Sequence, residues 1–174
     1  MTEPLRERLR LCAGCHGEDG NSRTAGVPSI AGQPRTFIEN QLVLFREGVR
    51  AATLQKQPAV SGLTDREIST IAGVFGASPM QAGPGSPDPA RANRGRALAR
   101  ELGCGSCHLP NYQGREQIPR LAGQREEYLV EAMTGFRYKR RPAADTAMIL
   151  VLDGVSDADI EAMAHYLSRY PQQD

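Results

Sequence analysis

The chain reads as an all-α protein built from two tandem copies of one small domain. Three observations predict this. The sequence matches itself along most of its length at an offset of 91 or 92 residues. Apolar residues recur at helical spacing in segment after segment, and no stretch keeps up a period-two alternation. A Pro/Gly/Ser-rich stretch separates the two copies. The length agrees, since 174 residues suit one ordinary domain or two small ones.

Each element has its own justification. Leu5, Leu9 and Cys12 share one face of a first helix. Pro34 opens a second, with Phe37, Gln41, Leu42 and Phe45 turned inward. Thr64 caps a third. Glu67, three residues on, completes a capping box, and Ile68, Ile71, Ala72 and Phe75 form the apolar face. The stretch from Ala77 to Pro87 has no apolar periodicity and reads as a linker. The domains are therefore set at 1–76 and 88–174, joined by 77–87. In the second domain Asp88 is the N-cap and Pro89 takes the first helical position, ahead of Gly95, Leu98 and Leu102. A later helix carries Tyr128, Leu129, Ala132, Met133 and Phe136. The last follows Ser156 with Ile160, Met163, Ala164 and Leu167.

Composition excludes several functions. With 21 Lys+Arg against 20 Asp+Glu, the net charge of +1 argues against a nucleic-acid surface. No apolar run approaches the roughly 20 residues of a membrane-spanning helix. Aromatics are only 5% and Trp is absent, which is thin for two small cores. Something besides side chains is expected to fill the middle of each.

The cysteines say what that is. All four, with two of the three histidines, fall in two copies of one pentapeptide, Cys12-Ala13-Gly14-Cys15-His16 and Cys104-Gly105-Ser106-Cys107-His108. C-x-x-C-H is the pattern of covalent haem c attachment. Two thiols three residues apart reach neighbouring vinyl groups of one porphyrin edge, and the next imidazole turns to the iron. A shared four-cysteine zinc site would leave both histidines unexplained. A thioredoxin-like dithiol needs a βαβ context that is not visible. Disulfides across three residues are strained. The expectation is two covalently bound haem c groups. Cys12, Cys15, Cys104 and Cys107 are the thioether positions, and His16 and His108 the proximal ligands.

Further stretches pair across the repeat. Pro28-Ser29-Ile30-Ala31-Gly32-Gln33 meets Pro119-Arg120-Leu121-Ala122-Gly123-Gln124, Phe45-Arg46 meets Phe136-Arg137, and Arg50 meets Arg141. With the run from Cys12 to Gly20, these make residues 5–170 resemble the dihaem cytochromes c of the cytochrome c4 type. The segment Tyr128 to Pro142 looks most like the dihaem subunit of flavocytochrome c sulfide dehydrogenase and related electron acceptors in thiosulfate oxidation. The resemblance implies two class I cytochrome c domains and electron transfer rather than catalysis. It implies a redox partner, a flavoprotein sulfide dehydrogenase or thiosulfate dehydrogenase, and a downstream cytochrome or oxidase. It also implies a periplasmic location. Met1-Thr2-Glu3-Pro4 begins no signal peptide, so the chain reads as mature. The Pro28 and Pro119 carbonyls are expected to accept the Nδ1–H bond of each proximal histidine. Gly95 resembles the glycine that lets the first and last helices cross. Glu3 stands at that offset in domain one, whose first helix is expected to be short.

The sixth ligand separates the halves. The resemblance places a distal Met shortly before the final helix, where a thioether raises the potential. Met148, eight residues before Ser156, fits; Met133 and Met163 read as core. In domain one Lys56 lies eight before Thr64, whereas counting from Arg50 gives Gln57, and Met80 lies past the last helix. Lys56 is the candidate, and its amine must lose its proton to bind. Gln57, Met80 and an open haem 1 stay as alternatives. An open site would bind a small substrate, with Lys56 as distal acid or anion anchor. His165 reads as a surface or interface residue. Arg137, Lys139, Arg140 and Arg141 read as a solvated loop, propionate partners or a docking patch for an acidic partner.

Overall fold

Helix formation follows the caps and apolar faces named above. The structure, a computed structural model, describes residues 3–141 and 146–170. The outermost residues of both expected domains (1–2 and 171–174) and Pro142 lie outside the described residues. Among the described residues the elements are α1 (Glu3–His16), α2 (Arg35–Arg46), α3 (Gln57–Val60), α4 (Asp65–Ala77), α5 (Pro89–Glu101), α6 (Cys104–His108), α7 (Glu126–Arg137), α8 (Thr146–Val151) and α9 (Asp157–Ser168). None of the described residues forms a strand; the one β contact is an isolated bridge between Arg115 and Ile118.

The helix starts are chemically explicit. Thr64 accepts from the Glu67 backbone while the Glu67 side chain accepts from the Thr64 N–H, a complete capping box on α4. Ser156 caps α9 through the Asp159 N–H. Asp88 caps α5 by accepting from both Ala90 and Arg91 N–H groups, with Pro89 behind it.

Two separate cores result. α1, α2 and α4, with the α3 segment, enclose Leu5, Ile38, Leu42, Phe45, Val60, Ile68, Ile71 and Phe75. α5, α7 and α9, with α8, enclose Leu98, Leu129, Met133, Leu152, Ile160, Met163 and Leu167. Met133 and Met163 are core, as expected. On α2 the buried residues are Ile38, Leu42 and Phe45; Phe37, expected inward, is only half-buried.

The halves differ in how their first helices sit. At Gly95 a Cβ would lie 2.1 Å from the Ala162 carbonyl oxygen, so only glycine allows the close α5–α9 crossing. Ahead of its motif α1 has nine described residues, Glu3–Leu11, against the thirteen of α5, so it is the shorter of the two, as expected. It lies against α3, where Arg8 donates to the Pro58 carbonyl, and shares no comparable packing with α4. A side chain such as Glu3 at the glycine position bars that crossing. His165 is also not a surface residue: it is 2% exposed. The chain leading into α5 covers it, and its Nε2 accepts the Asp88 N–H at 2.9 Å.

Candidate haem centres

The first C-x-x-C-H motif forms the last five residues of α1, with His16 as the final one. Gly17 then turns the chain at φ +84°, where a Cβ would lie 2.4 Å from the Asn21 carbonyl oxygen. The second motif is the short helix α6, entered through Gly103 in the left-handed region. Leu109 follows at φ 70° and ψ 156°, a conformation that strains any residue but glycine.

Both motifs present their groups alike. All four thiols are free. Cys12 and Cys104 turn inward against their cores, while Cys15 and Cys107 are exposed. Burial pushes the Cys12 and Cys104 thiols up. His16 Nδ1 lies 2.8 Å from the Pro28 carbonyl oxygen, and His108 Nδ1 lies 2.8 Å from that of Pro119. A carbonyl only accepts, so Nδ1 carries the proton in each ring and the Nε2 lone pair is fixed as the metal-binding one. Burial pushes His16 down to about 4, partly offset by the Pro28 bond, which keeps the imidazole neutral at ordinary pH. Among the described residues no cage of His, Cys, Asp and Glu for a bare metal ion forms. Paired thiols beside a neutral, oriented imidazole, backed by an apolar core, fit a covalently held porphyrin.

The segment before each last helix carries the residue expected to be distal. Gly62 and Gly154 both adopt positive φ, 67° and 73°, two residues before the caps Thr64 and Ser156. Val60 and Leu152, two residues earlier again, are both buried, at 1% and 2% exposure. This shared register pairs Met148 with Lys56. Gln57 is exposed. Met148 packs against the second core with Phe136. The Lys56 ammonium sits 3.7 Å from the centre of the Phe45 ring, the repeat partner of Phe136. Burial pushes Lys56 down to about 8, and the Arg50 charge adds to this. Met80 packs elsewhere: Cβ atoms built at Gly32 and Gly123 would each lie 3.1 Å from its side chain, which places it in the seam between the halves.

The basic run does not form one patch. Arg137 pairs with Asp157 at 2.7 Å, just as Arg46 pairs with Asp65 at 2.7 Å. Arg140 lies over the Tyr138 ring, Lys139 is exposed, and Arg141 turns inward to Tyr128.

Sequence reasoning missed what joins the halves. Gln124 donates to the Ser29 carbonyl and accepts from the Ser29 N–H, both at 2.8 Å. Gln33 does the same to Arg120, both at 2.9 Å. Ser29 and Arg120 hold the same place in the repeat, one residue after the prolines that orient His16 and His108. Each half therefore clasps the other's proximal loop. The signal was present: Ala-Gly-Gln recurs at the same offset in both copies, outside any helix.

The cytochrome c family model matches residues 92–170. Cytochrome c4 of Stutzerimonas stutzeri is 32% identical over 179 residues, covering 92% of this chain and 84% of that protein. The chain belongs to the cytochrome c4 family. The reduced cytochrome c4 structure from Pseudomonas stutzeri matches at a TM-score of 0.83 and 29% identity over 97% of each chain. The cytochrome subunit of sulfide dehydrogenase of Chlorobaculum tepidum is 46% identical over 77 residues, 44% of this chain and 68% of that protein. A thiosulfate dehydrogenase from Marichromatium purpuratum matches at a TM-score of 0.76 and 27% identity, over 95% of this chain and 40% of that one. As a cytochrome c4 family member, the chain is a dihaem electron-transfer protein with two class I cytochrome c domains and two covalently bound haem c groups.

Proposed function

We propose that this chain is a periplasmic two-centre carrier that takes electrons from a sulfide- or thiosulfate-oxidising dehydrogenase and passes them to a downstream cytochrome or oxidase. The domains are 1–76 and 88–174, joined by 77–87. Cys12 and Cys15 hold the first haem with His16 proximal and Lys56 distal. Cys104 and Cys107 hold the second with His108 proximal and Met148 distal. The observation that carries the reading is the duplicated histidine–proline carbonyl pair, each locked by a glutamine from the other half. The bound haems supply reversible one-electron chemistry.

The chain's own residues do the rest. Pro28 and Pro119 orient the imidazoles and raise their basicity. Lys56 in place of a thioether favours the ferric state, which makes the first centre the lower in potential. The sulfur-oxidising donor is supported by the sulfide and thiosulfate dehydrogenase relatives. The compartment is supported by the family and by the two thiol attachment motifs. Among the described residues no helix is long and apolar enough to cross a membrane.

One observation favours a second reading. The Lys56 ammonium already has a seat over the Phe45 ring, a contact available only to its charged form. If it stays there, the first haem is open and binds small ligands. Ferric EPR of wild type and Lys56→Ala decides. Two low-spin signals, one lost or altered in Lys56→Ala, support the carrier. A high-spin first haem that binds carbon monoxide on reduction overturns the Lys56 ligation.

A further inference from the structure

One contact across the seam has no counterpart in the repeat. Arg125 follows the clasping Gln124, and the matching position after Gln33 is Pro34. The Arg125 side chain crosses into the first half and donates to the Ser22 carbonyl at 3.0 Å. It is 6% exposed, and its Nε is buried with no acceptor among the described residues. Among those residues the carboxylate it meets is Glu127, at 3.3 Å, with 53% of that side chain exposed. A guanidinium does not lose its proton in a protein, so a full positive charge stands in the seam. Solvent screens Glu127, which leaves that charge weakly answered.

Ser22 is a hub of the first proximal loop. Its hydroxyl donates to the Cys15 carbonyl at 3.1 Å, one residue before His16. Its N–H donates to the Ser29 hydroxyl at 3.1 Å, one residue after the Pro28 that holds His16. Arg125 thus bears on the first proximal ligand from both sides. Ser22 and Ser29 are buried as well, so the charge acts through a medium of low polarity.

The second loop receives nothing of the kind. Gly114 stands six residues after His108, as Ser22 stands six after His16. Between Gly114 and Pro34 the seam is an open cleft of about 470 Å³, walled also by Arg35, Arg115 and Arg120. Proline has no side-chain donor to fill it. Arg35 and Arg115 are exposed and Arg120 is half-buried, so solvent screens their charges.

We propose that Arg125 sets the potential of the first centre from the second half: its buried charge holds the first haem toward the ferrous state and leaves the second almost unmoved. This rests on the dihaem reading above. The ferric form carries one more positive charge, so a nearby cation disfavours it. Arg125 bonds to no ligand of the iron; it is a positioning residue that acts through Ser22 and through its field. Lys56 as distal amine pulls the first potential down, and Arg125 opposes it. The first centre therefore has its native potential only while the halves stay clasped.

EPR-monitored redox titration of the holoprotein tests this, because it follows each haem separately. Arg125→Gln keeps a hydrogen-bond donor and removes the charge. It should lower the first potential by a tenfold fall in the ferrous-to-ferric ratio, about 59 mV for one electron. The second centre should shift by less than about twofold. Arg125→Lys keeps the charge without the planar fork, so Tm should fall while the first potential stays within about twofold of wild type. Lost packing alone would move the Gln and Lys variants equally. Glu127→Gln, on an exposed side chain, should raise the first potential and carries the test if the variants at 125 fail to fold. The proposal is overturned if Arg125→Gln leaves the first potential in place or moves both centres alike. It is also overturned if Arg125→Lys moves the first potential as far as Arg125→Gln, or if Glu127→Gln raises neither centre or both alike. Fewer than two haems per wild-type chain by pyridine haemochrome would instead sink the dihaem reading.

Discussion

Gln124→Leu removes the second half's grip on the first. The change deletes both bonds to Ser29 and the bond from the Arg125 N–H to Oε1, at 2.8, 2.8 and 2.9 Å. Gln124 is 3% exposed and Ser29 5%, so water does not replace what is lost. A buried backbone group left without a partner costs about 1–3 kcal/mol, while leucine recovers some apolar contact. The net expectation is a loss of about 3 kcal/mol, which for a chain of this size lowers Tm by about 6–12 °C. Gln33→Leu costs less, about 1–2 kcal/mol, because Arg120 is half-buried and water can reach it. The more telling effect crosses the seam. Ser29 follows Pro28, whose carbonyl holds His16. Gln124→Leu should therefore expose the Ser29 amide to hydrogen exchange and perturb the spectrum of the first haem, leaving the second little changed. Gln33→Leu should show the mirror pattern. If Gln124→Leu leaves Ser29 exchange at its wild-type rate, or disturbs only the second haem, the clasp does not act as described.

Two further perturbations have defined outcomes. Gly95→Ala places a Cβ 2.1 Å from the Ala162 oxygen. The helix gains about 1 kcal/mol of intrinsic propensity, but forcing α5 and α9 apart costs more, about 1–3 kcal/mol or beyond, so denaturant unfolding should show a net loss confined to the second half. Glu126 joins Arg169 at 2.5 Å, Arg91 at 3.0 Å and His165 at 3.2 Å. Burial raises its carboxyl, yet these partners outweigh burial and hold it below its ordinary 4.5. Its stabilisation is thus present above that value and lost as pH falls through the folded-state pKa. Glu126→Gln should lower stability at pH 7 and flatten the acid-side decline, measured by denaturant midpoints from pH 3 to 7.

Much of the fold was legible because its causes are local. Capping residues lie within three positions of the groups they satisfy, and the α4 and α9 apolar faces repeat every three or four residues. Thr64, Asp88, Ser156 and the two core methionines could be named on that basis. The C-x-x-C-H motifs are equally local, whereas the Pro28 and Pro119 carbonyls that fix their histidines lie 12 and 11 residues on and were expected from the family resemblance. What was not legible depends on partners some 80 to 95 residues away. Nothing near Gln124 in sequence suggests that Ser29 is its partner. His165 looked peripheral because it falls one residue past the inward stripe of α9. It is buried only because the chain before α5 crosses that side and donates the Asp88 N–H. Tyr128 looked like one more apolar position; its phenol matters only once Arg50 arrives from the other copy. The register before the last helices was ambiguous by one residue until the paired positive-φ glycines Gly62 and Gly154 settled it.

Comparing the copies separates two kinds of position. Several that face the seam are the same in both: Gln33 and Gln124, Arg50 and Arg141, the glycines Gly32 and Gly123 that donate to Phe75 and Leu167 at 3.1 Å each; the clasped Ser29 and Arg120, held by their backbone groups, are not. Several that lie within one half have diverged: Lys56 against Met148, Gly17 against Leu109, Glu3 against Gly95. A molecule selected only to carry two independent haems would have no reason to keep the seam symmetric while its centres drift apart. A two-centre wire would. Transfer between the haems depends on a fixed separation and relative orientation, so the clasp must hold both proximal loops alike. On the proposed ligation its direction depends on unequal potentials, which Lys56 against Met148 would supply. Lys56→Met tests this division directly. It should raise the first potential toward the second and abolish the gradient, yet leave Ser29 and Arg120 exchange protection unchanged. Loss of that protection would mean that the distal residue and the seam are not separable, and the division drawn from the repeat would be wrong.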